Sequence, residues 1–167
     1  TFANAAHVQP TLEMLYMIAG GKEKYNERPF ANGGGCPVIS PLRYGKGNSE
    51  VCVESIKFGS PIWVIVAPQA GATAPAALAG AVVQSVAEAL AGLLMIDVVE
   101  PGFPVVLGPW PFVSDLRSGS FTGGSGEEAV VSAAAAQMVN FYDLPSSVGA
   151  GMTDSKLPDY QAGYEKA

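Results

Sequence analysis

Charge is what this sequence has least of. Asp, Glu, Lys and Arg make up 14% of the 167 residues, where an average soluble domain carries about a quarter. Nine basic side chains stand against 15 acidic ones, for a formal net charge of -6. So few cations exclude a phosphate-neutralising surface, and with it nucleic acid as an expected partner. An acidic surface still admits a cationic small molecule or a basic protein surface. A domain so poor in charge is expected to pack against more protein or to belong to something larger. Histidine is scarcer still. His7 stands alone, so a His-based triad and a multi-histidine metal site are both excluded within this chain. Cys36 and Cys52 form no ligand motif and read as buried free thiols, the usage of a reducing cytoplasm. The start of the chain lacks a basic segment followed by an apolar one, so no signal peptide is expected. The most apolar long stretch, 74–99, is interrupted by Pro75, Gln84, Ser85 and Glu88. It reads as a buried crossover helix rather than a membrane span.

What is present is an alternation of short apolar runs and helical stretches. Residues 11–19 have helical periodicity and stop at Gly20-Gly21, and a polar turn over 22–29 follows. Strands are expected at 36–40, 61–67, 104–108 and 146–150. The run "PIWVIVA" at 61–67 is continuous rather than alternating, which predicts burial on both faces. Helices are expected at 48–58, capped by Asn48 or Ser49, from Pro75 to about 97, capped by Thr73, and at 127–142, capped by Ser125. Glu127 and Glu128 then lie near the positive end of the last of these. Crossovers of this length imply a parallel sheet with helices outside it. The fold class expected is α/β, a partial (β/α)8 TIM barrel of about four parallel strands, since a complete one takes roughly 250 residues. The rival is an open dinucleotide-binding sheet. It calls for a Gly-rich turn running from a strand straight into a helix. The "GGG" at 33–35 instead precedes an expected strand, and "GSFTGGSG" at 119–126 sits far from its strand.

In parallel folds ligands meet the carboxyl ends of the strands. Four loops follow the expected strands and would gather at one rim. They carry Arg43 and Tyr44; Gln69 and Thr73; Trp110, Asp115 and Arg117; and Asp154, Lys156, Asp159, Gln161 and Tyr164. Gln69 ends the most buried strand and needs a partner, either a ligand or neighbouring backbone. Trp110, between two prolines, is a core plug or one wall of an aromatic pocket for a quaternary ammonium group, to which Tyr44, Tyr160 and Tyr164 could add. Arg117 suits a substrate carboxylate. Asp154 and Asp159 suit acid/base work, or a solvated or capping role.

Four stretches carry a resemblance: "CPVISPLRYG" at 36–45, "APQAGATAPAALAGAVVQSVAEALAG" at 67–92, "PVVLGPWPFVSDLRSGSFTGGSGEE" at 104–128 and "GAGMTDSKLPDYQAGYEK" at 149–166. In these the chain resembles the trimethylamine methyltransferase family, from about His7 onward. The resemblance implies an eightfold barrel longer than this chain, with residues 1–167 a piece of that single domain. It implies transfer of a methyl group from a tertiary or quaternary methylamine to the cobalt(I) of a corrinoid. The corrinoid is carried by a separate small protein, so no cofactor is bound directly. Some members contain pyrrolysine, and many relatives without it resemble enzymes for glycine betaine. The standard residues here favour that quaternary branch. On this resemblance Gln69, Asp154 and Gln161 are the expected catalytic residues, orienting substrate or incoming corrinoid. Trp110, Tyr44 and Tyr164 would hold the cation, and Arg117 or Lys156 a betaine carboxylate. The expected partners are the corrinoid protein, a small methylated amine and further copies of the chain, in the cytoplasm and without a membrane. The alternatives are a non-catalytic structural or binding piece, and another barrel enzyme.

Overall fold

The computed structural model describes residues 2–166. A turn of 3-10 helix, Ala5–His7, leads into α1 (Val8–Ala19) and α2 (Lys22–Glu27). Three short strands follow, β1 (Gly33–Gly35), β2 (Val38–Ile39) and β3 (Arg43–Tyr44), and then α3 (Lys46–Lys57). The centre of the chain is β4 (Ile62–Val66), β5 (Gln69–Ala70) and α4 (Leu78–Val99). The remainder is β6 (Val105–Pro109), β7 (Phe112–Val113), α5 (Gly126–Phe141) and α6 (Tyr160–Lys166).

The parallel sheet has the order β1-β4-β6, so each strand lies beside the next one made, with helices in between. Gly33 pairs with Ile62 and Gly35 with Val64; Ile62 pairs with Val105 and Val66 with Pro109. Ile62, Val64, Val66 and Leu107 are buried in one core with Cys52 of α3, Ala89 and Ile96 of α4 and Val139 of α5. Burying each of the larger of these side chains contributes about 1.5–3 kcal/mol. The helices therefore cover one face of the sheet. Strand alternation turns Trp63 and Ile65 to the other face, where they are only half-buried. A doubly wound sheet would carry helices on both faces. This one is an unclosed, barrel-like α/β arrangement with its concave side bare.

The strand expected at 36–40 is displaced. The parallel strand is the glycine run β1, and only Val38–Ile39 pair, antiparallel, with β3. Glycine weakens a strand, yet a side chain here would crowd α3. A Cβ on Gly33 would lie 3.0 Å from Ser55 Oγ, and one on Gly35 2.9 Å from Cys52 Sγ. α3 lies directly on the strand's backbone. The run 61–67 is not buried on both faces but alternates. The expected strand 146–150 is reduced to a bridge at Ser146. Leu107 donates its amide to the Pro145 carbonyl (2.9 Å), and the Ser147 amide donates to Leu107 (2.8 Å). The ladder stops there because the next position on β6 is Pro109, which has no N–H to donate, and the Ser147 carbonyl accepts the Trp110 indole N–H (3.2 Å) instead. The expected polar turn at 22–29 holds a short helix instead, pinned by Tyr25. That side chain is fully buried, donates to the Ala31 carbonyl (2.8 Å), and packs edge-on against Tyr16 and Phe30.

α4 is long and apolar enough, by length and composition, to cross a membrane. In the fold its Ala89, Gly92 and Ile96 lie buried, and Gly92 meets β4 so closely that a Cβ would sit 2.6 Å from Val64 Cγ1. Neither Thr73 nor Asn48 nor Ser49 caps a helix: α4 follows Ala77 and α3 follows Gly45, each without a side-chain cap. Ser125 does cap α5, accepting the Glu128 amide (3.2 Å).

Candidate functional site

The carboxyl ends of β4 and β6 do not fray into loops. Pairing continues past both strands: the Trp110 amide donates to Val66 (2.9 Å), Phe112 to Pro68 (2.8 Å) and Ser114 to Ala70 (3.3 Å). β5 and β7 are thus a parallel extension of the sheet, with Gln69 opposite Phe112. Pro68 and Pro111 interrupt without ending it. This raised lip holds the side chains beyond the strands in fixed register, as a ligand-binding rim requires.

A row of rings runs along it. Trp63 meets Trp110 edge to face at 5.3 Å between centroids, Trp110 meets Phe112 at 6.4 Å, and Phe112 meets Phe121 at 4.9 Å. Trp63 lies on the concave face, and a Cβ on Gly108 would come within 2.9 Å of its indole nitrogen. Gly149, itself buried, packs against the next two rings from the last loop, with Met152 nearest to it. A Cβ there would be 3.4 Å from the Phe112 ring and 3.8 Å from that of Trp110. The rim therefore carries a row of half-buried rings.

Gln69 stands beside that wall, fixed on all sides. Its amide donates to Thr73 Oγ1 (2.9 Å), and its carbonyl accepts the amides of Ala72, Thr73 and Ala74. Its Oε1 accepts from the hydroxyl of buried Ser114 (3.0 Å). Nε2 is then the end of the side chain left to donate outward. On the far side, Asp154 Oδ1 accepts the Gly123 amide (2.8 Å). Gly123 itself lies against Phe121, since a Cβ there would be 3.1 Å from that ring. Gln69 is thus paired beside Phe112, and Asp154 reaches the row only through Gly123.

The other expected residues lie further out. Gln161 Nε2 donates to Glu165 Oε1 (2.8 Å), and Glu165 also accepts from the Thr153 hydroxyl and the Asp154 amide. These bonds hold the Glu165 carboxyl below the usual range, the Thr153 hydroxyl foremost. Asp159, likewise lowered, foremost by the Ala162 amide, caps α6. The polar ending of the chain is mostly bonded to itself. Arg117 sits in an exposed turn closed by Asp115, whose carboxylate takes the Ser118 hydroxyl (2.7 Å) and the Arg117 amide (3.0 Å) and is lowered by both. Lys156 is exposed, as is Tyr164 on α6. Tyr44 lies away from the ring row, donating its hydroxyl to Ala91 of α4 (2.9 Å).

Three features were not read from the sequence. Trp63 was hidden in an apolar run, its own size being the only signal. Phe112 and Phe121 lay in what read as loop. Glu88, taken as an interruption of an apolar stretch, is buried and accepts three hydrogen bonds. The thiols offer no nucleophile: burial pushes Cys52 up to about 12 and raises Cys36. Among the described residues, no group of three or more His, Cys, Asp or Glu side chains is placed to hold a metal ion.

Comparison with known proteins matches residues 2–167 to the family model described as trimethylamine methyltransferase (MTTB). The chain is 35% identical over 161 residues to a glycine betaine methyltransferase of Desulfitobacterium hafniense (strain Y51), covering 94% of this chain and 33% of that protein. It is 34% identical over 154 residues to a trimethylamine methyltransferase MttB of the same species (strain DSM 10664 / DCB-2), covering 92% and 31%. It is 35% identical over 147 residues to MttB of Methanosarcina barkeri, covering 88% and 30%. The chain thus spans about a third of the length of these curated relatives.

Proposed function

The chain belongs to the trimethylamine methyltransferase family, and on that premise we propose that the complete protein moves a methyl group from a quaternary or tertiary methylamine to the cobalt of a corrinoid carried by a separate protein. The observation that carries this reading is the ring row Trp63-Trp110-Phe112-Phe121 on an open, barrel-like rim. Aromatic faces attract a methylated ammonium by about 0.5–2 kcal/mol each, and do so without offering it a nucleophile. Cobalt(I) supplies the electron pair in such a transfer, and the pair of the broken N–C bond leaves with the amine. What remains for the chain's own residues is to hold the cation and aim one methyl outward.

In this reading Trp110 and Phe112 bind the cation. Gln69 Nε2 donates to an acceptor atom on the substrate, which favours a substrate bearing a carboxylate, of the glycine betaine type. Asp154 faces the cation from the far side. Arg117 and Lys156, exposed at the loop tips, draw a carboxylate or the corrinoid protein toward the rim. Gln161, Tyr164 and Tyr44 act from further out, Gln161 by holding the loop that carries Asp154. A quaternary amine needs no proton transfer, so a site without histidine suffices. The 167-residue chain by itself is expected to be inactive, because its sheet is open.

The test mixes the complete polypeptide with a reduced corrinoid protein and either glycine betaine or trimethylamine, and follows the corrinoid's absorption spectrum. Amine-dependent loss of the cobalt(I) spectrum is expected. A spectrum unchanged by every methylamine tried would remove the methyl-transfer reading.

A further inference from the structure

We infer that Glu88 is a positioning residue for Gln69, holding the rim from within α4. The inference rests on the reading that Gln69 meets the substrate. Glu88 is 1% exposed, in the middle of the apolar α4. Its Oε2 accepts from the Ser40 hydroxyl (2.5 Å), and its Oε1 accepts from the Leu42 amide (2.9 Å) and from Gln84 Nε2 (2.9 Å). The first two donors belong to the loop between β2 and β3. The third belongs to α4, and Gln84 Nε2 also donates to the Thr73 carbonyl (2.7 Å) in the loop after β5. Thr73 Oγ1 receives the Gln69 amide (2.9 Å), and Gln69 Oε1 receives the Ser114 hydroxyl (3.0 Å) in the loop after β7. An unbroken chain of hydrogen bonds therefore links all three loops, and Glu88 and Gln84 are the links that bridge the first to the second.

The chemistry of position 88 explains why a carboxyl group sits in this helix. Three donors converge there from two directions, and a carboxyl has two oxygens that can accept all three. An apolar side chain would leave the Leu42 amide and the Gln84 side chain without that acceptor. Leu42, at a φ of +50°, is one of only two non-glycine residues among those described with positive φ. Its amide is the one Glu88 takes, so the carboxyl holds a backbone conformation that leucine does not adopt freely. Were Glu88 merely satisfied in the core, one loop would have been enough. Instead, it and its neighbour one turn earlier reach loops on either side, and the second link ends on the residue opposite the ring row.

Hydrogen exchange and a double-mutant cycle on the complete polypeptide test the assignment. In ligand-free protein, Glu88→Ala is expected to raise exchange about tenfold in residues 69–74 while the β4 amides keep their protection. Gln84→Ala, which removes the bonds to Thr73 and to Glu88 but leaves Ser40 and Leu42 on the carboxyl, is expected to do the same and serves where Glu88→Ala fails to fold. Glu88→Gln keeps an acceptor for Leu42 and Gln84 and an amide for Ser40, and should restore near-normal exchange. Binding of glycine betaine by calorimetry should weaken about tenfold in Glu88→Ala and in Gln69→Ala, with the double variant no weaker than Gln69→Ala. Unchanged exchange in residues 69–74, or additive losses in the cycle, overturns the inference. If Gln69→Ala binds glycine betaine normally, Gln69 leaves the site and the functional reading of that residue fails. The ligand-free exchange then still decides whether Glu88 holds it.

Discussion

Glu128 lies beneath the first turn of α5, 4% exposed, with Oε2 on the Gly124 amide (2.8 Å) and Oε1 buried without a partner. Desolvation pushes its carboxyl above the ordinary value, and nearby Asp154 pushes the same way, against the Gly124 bond. A carboxyl whose folded value is raised favours the protonated form, so its contribution to stability is full at low pH and is lost as pH rises through the folded value. Glu128→Gln keeps the shape and the acceptor for Gly124. Its thermal midpoint should match the parent's near pH 4 and exceed it at pH 8; equal midpoints at both pH values would show the carboxyl is not strained by burial. Trp110 belongs at this scale too. Trp110→Ala should weaken binding of a methylated ammonium by about tenfold, as expected for the loss of one cation–π wall. Trp110→Phe, which keeps a ring face, should lose less. Equal affinity in all three proteins, by calorimetry, would take Trp110 out of the site.

At the scale of elements, the decisive contacts are between helices and strands that nearly touch. Gly92 of α4 and Gly35 of β1 each sit where a Cβ would press on a buried neighbour, Val64 and Cys52 respectively. Gly92→Ala adds helix propensity but forces α4 away from β4. The loss should win, by about 1–3 kcal/mol, and lower the chemical denaturation midpoint. A midpoint at or above the parent's would mean the helix can shift at no cost. The cap of α5 offers a control with a different cause: Ser125→Ala should cost about 1 kcal/mol, because the Glu128 amide loses its acceptor. These glycines explain why the strand order was readable while one strand's place was not. Periodicity and β-propensity reward "CPVIS", and nothing local marks "GGG" as the strand on which α3 will lie.

The whole molecule shows two unlike faces. The concave side of the sheet carries the ring row, while the outer side shows an apolar groove of about 620 Å³ between α4 and α5, lined by Leu78, Val82, Val86, Val130 and Met138. Val83 and Val130 stand out from it, 69% and 61% exposed. That much apolar surface binds hydrophobic probes. An environment-sensitive dye should brighten with the 167-residue chain, and Val83→Lys combined with Val130→Lys should remove most of the signal. Dye binding that the pair leaves unchanged would place the accessible apolar surface elsewhere, at the open sheet edges for instance.

The sequence by itself determined the alternation of strands and helices, and so which loops share a rim. It also determined the family, through long ordered stretches that survive whatever the packing does. Both are carried by neighbours along the chain. Only the tertiary structure decided which side of β4 bears Trp63, that a glycine run is a strand, that Thr73 closes a rim turn instead of capping a helix, and that the polar ending binds mainly itself. It alone gave Glu88 its two loop partners, which lie 46 and 48 residues away. Close approach of backbones and the partners of a buried carboxyl are set by what folds against them, and no pattern of adjacent residues encodes that.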